Sequence, residues 1–230
     1  MINMKLFKVF LALLITGALA SCENMLDNIR PYLDKGETIY VGRADSLYTN
    51  DGLNRIELVV RLKGGFSQSS CRVVRTNQDG ESDTLMYEIE RTNGEQYLSY
   101  MYTQLDEGQY DFSVVLFDEL GNSSLEEVVG GYSYGEFYKS TLLNRSFHVQ
   151  NEDGKVVFQW KSIDSALYTL LTYETNEGNE KTIEVPADVF VTEITDFKEG
   201  GVYSWKTAYK PSDTALDIFF SNIETGNFSF

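Results

Sequence analysis

The sequence predicts an all-β protein in which two β-sandwiches stand in tandem after an N-terminal signal peptide. Short segments of alternating apolar and polar residues recur along the chain, and turn residues separate them. No apolar period of 3.6 residues persists in the body of the chain, and only 3 prolines occur in 230 residues. Short strands divided by frequent turns are typical of sandwiches.

The first predicted sandwich covers residues 37–131. Asn77–Gly80 has the composition of a tight hairpin turn. Leu98, Tyr100 and Tyr102 are separated by single residues, so we expect their side chains on one face of a strand. The strands predicted in this unit are 55–60, 71–74, 84–89, 98–103, 110–117 and 124–129.

The second predicted sandwich, residues 146–230, repeats this organisation. A turn at Glu152–Gly154 separates its first two strands. The segment 132–145 between the two units is predicted to be a linker rich in aromatic residues. The strands predicted in the second unit are 147–150, 156–160, 167–173, 181–185, 190–194, 202–209 and 218–222.

Two matching segments, Leu105–Phe112 and Phe197–Trp205, indicate which sandwich this is. Each has an apolar residue, a glycine turn and a tyrosine followed two residues later by a large aromatic residue. This pattern predicts a tyrosine corner, in which the hydroxyl binds the preceding loop backbone. The spacing resembles fibronectin type III domains, as does Trp160 at the end of a second strand. The resemblance implies fibronectin type III or immunoglobulin-like topology, although Val60 replaces the tryptophan in the first unit.

The N-terminus has the layout of a bacterial lipoprotein signal peptide. Lys5 and Lys8 flank the start of an apolar stretch that is too short for a stable membrane span, and small residues then lead to Cys22. This order predicts a signal peptide over residues 1–21, cleavage before Cys22 and acylation of that cysteine. Residues 22–36 would form a lipidated tether. An uncleaved anchor helix is the alternative interpretation.

Charge restricts the partners. The formal net charge is −16 at pH 7, and so acidic a chain repels phosphate backbones and anionic lipid headgroups. We therefore expect no nucleic acid partner, and we expect the membrane to be reached through the acyl chains on Cys22. The expected location is the outer membrane or cell surface, and the periplasmic face is left open.

Three blocks of sequence, 32–46, 54–58 and 134–145, resemble a family of uncharacterised Bacteroidetes lipoproteins. The family is built from tandem domains similar to fibronectin type III and has no assigned activity. Relatives often lie beside glycan-uptake genes, so the resemblance implies glycan capture as an expectation about function.

Residues that carry catalytic chemistry are sparse. If Cys22 is lipidated, Cys71 is the remaining cysteine, and His148 is the single histidine, far from it in sequence. Neither a Cys/His pair nor a zinc cluster is expected from this composition. Acidic turns lack the ligand spacing of a calcium loop, and no phosphate loop or nucleophile elbow occurs. We therefore expect no enzyme, no cofactor and no metal.

The linker holds the strongest candidate for a binding surface. Four aromatic residues crowd it, namely Tyr132, Tyr134, Phe137 and Tyr138. In one interpretation they pack the joint between the two sandwiches and fix its angle. In the other they form a patch that stacks on a ligand or docks a partner.

Four triplets of the form Asp-[Ser/Thr]-aliphatic or small resemble the O-glycosylation acceptor of exported Bacteroidetes proteins. Their hydroxyl residues are Ser46, Thr84, Ser165 and Thr214. Asp-Ser and Asp-Thr also favour turns and the starts of strands, which is the alternative explanation.

Two functional hypotheses follow from these patterns. The first is a non-enzymatic binding or accessory module on the surface, serving glycan capture or a surface complex. The second is a structural or adhesive lipoprotein that binds another protein through an exposed strand edge.

Overall fold

Seven strands in the first half of the chain form one sandwich. The computed structural model describes residues 40–64 and 67–229. Within them, β1 to β7 pair antiparallel as two sheets, of order β1-β2-β5 and β4-β3-β6-β7. The strands are β1 Ser46–Gly52, β2 Arg55–Leu62, β3 Gln68–Asn77, β4 Ser82–Glu88, β5 Gln96–Thr103, β6 Gly108–Asp118 and β7 Glu127–Ser133.

The second half repeats the same strand order after a short helix, α1 (Glu136–Thr141). One sheet has the order β12-β9-β8, and the other has the order β11-β10-β13, with β14 and β15 both paired to β13. The strands are β8 Phe147–Glu152, β9 Lys155–Trp160, β10 Ala166–Glu174, β11 Glu180–Pro186, β12 Val191–Ile194, β13 Val202–Tyr209, β14 Phe219–Phe220 and β15 Glu224–Asn227.

This architecture confirms the prediction of two sandwiches in tandem. The signal peptide predicted over 1–21 and the tether over 22–36 lie outside the described residues. Among the described residues, no helix has both the length and the apolar character needed to cross a membrane.

Each sandwich has its own hydrophobic core. Alternate residues of β2 and β6, among them Leu58 and Phe112, are fully buried in the first core. The second core is aromatic and is centred on Phe158, with Trp160 and Tyr203 packed around it. Burying one such side chain contributes about 1.5–3 kcal/mol, so the two cores stabilise the two units separately.

The tyrosine corner forms in the first sandwich and not in the second. The Tyr110 hydroxyl donates to the backbone oxygen of Asp106 over 3.2 Å, as predicted. The Tyr203 hydroxyl has no hydrogen-bond partner among the described residues, so the second predicted corner is wrong. Its ring instead lies over Gly226, which has no side chain to block it, and packs 4.8 Å from Phe228.

One predicted strand is displaced. Residues 124–129 were expected to form the last strand of the first sandwich, whereas β7 spans Glu127–Ser133. The reason is local: the backbone N–H of Leu116 donates to the Ser124 hydroxyl, and the N–H of Ser124 donates to the Leu116 oxygen. These bonds hold Ser124 before the strand begins. At its other end β7 reaches Ser133 and brings Tyr132 into the sheet.

Candidate binding site at the joint

Three of the four linker aromatics form one cluster with a residue of the second sandwich. Ring centroids lie 5.0 Å apart for Tyr132 and Tyr134, and 4.6 Å apart for Tyr134 and Tyr138. Phe219 of β14 is fully buried and contacts Tyr134 at 5.3 Å and Tyr138 at 5.1 Å, both edge-on. Such edge-to-face contacts add to the burial of each ring. The cluster therefore connects β7 and α1 to the second sandwich.

Phe137 does not join the cluster. Its side chain is 73% exposed on α1. The helix is held from the first sandwich, because the Glu107 carboxylate accepts the N–H groups of Phe137 and Tyr138, both at 2.7 Å. Gly135 precedes the helix, and a side chain there would contact the Glu107 carboxylate. The fixed orientation of α1 points Phe137 to solvent.

A second contact joins the β1–β2 turn to the loop before β14. Arg55 and Asp217 form a two-pronged ion pair, with Nη2–Oδ1 at 2.6 Å and Nε–Oδ2 at 3.2 Å. The same carboxylate accepts the N–H of Leu53 at 2.7 Å. The Leu216 N–H donates to the backbone carbonyl oxygen of Asp51, also at 2.7 Å. Asp217 thus binds the turn through both the charged Arg55 side chain and the backbone N–H of Leu53.

The side chain of Asp51, whose backbone oxygen takes part in this contact, has a raised pKa. Burial is the main cause, and it outweighs hydrogen bonds from Tyr132 and Thr49 that favour the ionised form. Its Oδ1 atom is buried without a hydrogen-bond partner among the described residues. The pKa of Tyr134 is raised in turn, chiefly by burial and then by the Asp51 charge.

Arg145 anchors the end of the linker inside the second sandwich. Its side chain is fully buried and donates to three backbone oxygens between 2.8 and 3.0 Å, those of Lys161, Pro186 and Ala187. The guanidinium also lies 5.5 Å from the centroid of the Trp160 ring. Burial lowers its pKa from the usual value for arginine. The guanidinium also lies 5.6 Å from the centroid of the Phe190 ring, so carbonyl dipoles and two aromatic faces solvate this charge.

The residues predicted for modification are spread over the fold. Cys22 lies outside the described residues. Ser46 begins β1 and is half-buried, and Thr84 is exposed on β4. Ser165 and Thr214 are exposed in the loops that precede β10 and β14. Ser165 has a φ of 61°, in the left-handed region that turns use.

Cys71 and His148 do not meet. Cys71 is fully buried in the core of the first sandwich, and burial raises the pKa of its thiol to about 12. A thiol with so high a pKa is a poor nucleophile at neutral pH. His148 lies on β8 of the second sandwich. Within 40–64 and 67–229, no three His, Cys, Asp or Glu side chains are grouped closely enough to hold a metal ion.

A further exposed aromatic surface was not anticipated from the sequence. It lies on the outer side of the β1-β2-β5 sheet, and we call it the tyrosine face: Tyr48, Glu57, Val59, Arg61, Tyr97 and Met101. The predicted alternation in β5 placed Tyr100 and Tyr102 on one face, and the structure shows that this face is the inner one. The same alternation places Tyr97 and Met101 outward. Tyr48 could not be added, because β1 was not predicted as a strand.

Two solved structures resemble this fold. A two-domain fibronectin type III segment of chicken tenascin aligns with 81% of this chain and 98% of its own, at 12% identity and a TM-score of 0.36. The FN1–FN3 domains of chicken CNTN1 align with 81% of this chain and 64% of their own, at 13% identity and a TM-score of 0.42. A search of curated proteins finds no match.

A family match covers most of the chain. Residues 22–219 match the family DUF4998, which is described as a domain of unknown function. The matched range includes the linker and nearly all strands of both sandwiches. The chain therefore belongs to the DUF4998 family.

Proposed function

We propose that this chain is a non-enzymatic, lipid-anchored binding or accessory protein of the cell surface, and that its ligand is a glycan. The observation that carries the proposal is the joint between the two sandwiches. Its aromatic residues and the Arg55–Asp217 pair connect the sandwiches, which supports a fixed presentation of their outer sheet faces to a ligand. The fibronectin type III-like fold is compatible with a surface or binding protein.

The proposed organisation keeps the order expected from the sequence. A signal peptide covers residues 1–21, Cys22 carries the acyl chains, and 22–36 form the tether. The two sandwiches follow, the first ending with β7 at Ser133 and the second including Arg145, so that the linker between them is shorter than the predicted 132–145. Anchoring through Cys22 places the chain at the outer membrane or cell surface, or on its periplasmic face, without electrostatic contact with lipid.

Lipid attachment is tested by labelling. In cells fed a palmitate analogue, we expect the wild-type chain to be labelled and to fractionate with membranes, whereas Cys22→Ala loses both properties. Cys71→Ala is the matched control, because Cys71 is buried in the first core and its removal leaves the anchor intact. Unchanged labelling of Cys22→Ala would refute the anchor.

The ligand is tested with the full chain in detergent micelles on an array of oligosaccharides. Binding to one glycan class, abolished by free glycan of that class, supports the proposal. Failure to bind any class overturns glycan capture.

Intact-mass measurement of the native protein tests modification of Ser46, Thr84, Ser165 and Thr214, which requires hexose increments.

An adhesive protein with a protein ligand is the second candidate. Among the described strands, β4 and β11 each pair with a neighbour on one side only, so each offers backbone donors and acceptors along its other edge. An extended peptide could add a strand there. Crosslinking in native membranes tests this function, and crosslinks to another protein should map to β4 or β11.

A further inference from the structure

The tyrosine face has the geometry of a shallow platform. In the sheet register, Val59 lies opposite Tyr48 on one side and Ser99 on the other, and Tyr97 lies opposite Arg61. Strand spacing puts the backbones of Tyr48 and Tyr97 about 12 Å apart, with Val59 between them. All these side chains point away from the core.

Exposure shows how the side chains are arranged. Tyr97 is 56% exposed, Met101 47% and Tyr48 39%, yet Val59 is only 5% exposed although it faces outward. Val59 itself is therefore covered. The rings thus offer their surface to solvent while the middle of the face is already covered.

Fixed polar groups surround the rings. Arg61 pairs with Glu95 at 2.7 Å and with Asp45 at 3.2 Å, and its charge lies 5.8 Å from the centroid of the Tyr97 ring. The Nε atom of Arg61 is buried without a hydrogen-bond partner among the described residues.

A second polar group lies along the same face. The Glu57 carboxylate accepts the Asn50 amide at 2.8 Å and also accepts the Ser99 hydroxyl. Donors and acceptors are therefore held in place beside both tyrosines.

We infer that the tyrosine face binds a neutral oligosaccharide, whose sugar rings lie on Tyr48 and Tyr97. This inference rests on the proposed glycan-binding function and assigns it a site. A sugar ring combines an apolar C–H face, which stacks on an aromatic ring, with hydroxyl groups that pair with Arg61 and Glu57. The net charge of −16 disfavours an anionic ligand.

A protein ligand fits this face less well. Protein interfaces draw their energy from a central apolar region that becomes desolvated on binding. Here the central Val59 is already covered, and Glu57 lies beside it with Asn50 and Ser99. A ligand that brings its own hydroxyl groups matches such a surface.

The second sandwich supplies an internal control. On its β12-β9-β8 sheet, the register places Gln159 at the position of Val59, just as it places Trp160 at that of Val60. The neighbours of Gln159 across the sheet are His148 and Val191, where the first sandwich has Tyr48 and Ser99. The same architecture therefore occurs without the tyrosine.

The test uses titration calorimetry on the full chain in detergent micelles. The probes are cello-, malto-, xylo- and mannohexaose, with polygalacturonate as the anionic probe. We expect Tyr48→Ala and Tyr97→Ala each to weaken binding of a neutral hexaose about tenfold, and the double variant to abolish it. His148→Ala, which changes the exposed residue of the second sandwich at the position of Tyr48, is the matched control and should stay within about twofold of the wild type.

A second variant guards against misfolding. Ser99→Arg keeps both tyrosines but fills the middle of the exposed face, and it should also abolish binding. If the wild type binds a neutral hexaose and the double variant or Ser99→Arg binds equally well, the assignment to this face is overturned while glycan capture stands. If the wild type prefers polygalacturonate, the neutral ligand is overturned. If it binds no probe, the assignment fails here, and the wider array decides whether glycan capture also fails.

Discussion

At the scale of single residues, Asp51 is a side chain of the joint whose ionised form is disfavoured by burial. Its folded-state pKa is raised by burial, so the folded protein holds the proton more tightly than the unfolded chain does. Stability from this residue is therefore greatest at acid pH and falls as pH rises through the folded pKa. At neutral pH the ionised carboxylate costs free energy.

The raised pKa of Asp51 predicts how a substitution at this residue changes stability. Asp51→Asn should raise the melting temperature at pH 7 relative to the wild type, and the difference should shrink as pH falls below the folded pKa. Scanning calorimetry between pH 4 and pH 8 measures it. Asp196→Asn is the opposing control: hydrogen bonds from Lys181 and Tyr173 lower the pKa of Asp196, so that variant should lose stability at neutral pH. A stabilisation by Asp51→Asn that is equal at all pH values would contradict the assignment.

At the scale of elements, the short helix α1 depends on a residue outside itself. Its cap residue, Gly135, offers no side chain, and the Glu107 carboxylate instead binds the first free N–H groups. A carboxylate at a helix N-terminus is favoured by hydrogen bonding and by the helix dipole together.

Glu107→Ala should therefore destabilise the protein by about 1 kcal/mol, the usual loss on removing an N-terminal cap. Amide hydrogen exchange at Phe137 and Tyr138 should accelerate, as measured by exchange with mass spectrometry or NMR. Glu136→Ala is the control, because Glu136 lies in the same turn, is exposed, and among the described residues bonds only to Lys139. Unchanged exchange in Glu107→Ala would show that the helix does not need this cap.

Most strands could be predicted because their apolar residues alternate with a core-facing period. Strand β1 escaped prediction because its sequence ends in Asn50, Asp51 and Gly52, which are ordinarily turn residues. Strand β15 escaped because it has four residues and contains Gly226, whose place in the strand is set by the Tyr203 ring above it.

The joint was only half predictable. The crowding of Tyr132, Tyr134 and Tyr138 in one segment was visible, and so was a role in packing. The contacts across the joint were not, because Phe219 and Asp217 lie far along the chain and no local pattern shows which residues they contact. Contacts of that kind depend on tertiary structure alone.

At the scale of the whole molecule, the Arg55–Asp217 pair tests how the sandwiches are coupled. The pair is partly exposed, so the ion pair alone is worth about 0–1 kcal/mol, but Asp217 also accepts the Leu53 N–H. Asp217→Ala should therefore widen the distribution of distances between spin labels placed at Thr84 and Glu177, measured by pulsed electron resonance. Glu199→Ala, a solvent-exposed carboxylate of the second sandwich, should leave the distribution unchanged. Equal distributions for wild type and Asp217→Ala would show that the aromatic cluster suffices.

Arg145 has a consequence for how this gene can be recombined. The residue is encoded before β8, yet its guanidinium fills a socket of carbonyl oxygens within the second sandwich. Leu143 and Asn144 are tied in as well, through the Tyr209 hydroxyl and the Asn222 oxygen. The second sandwich can therefore be moved to another protein as a unit only if the segment from Leu143 onward is included. A recombination breakpoint at β8 would produce a second sandwich whose buried carbonyl oxygens lack the Arg145 guanidinium.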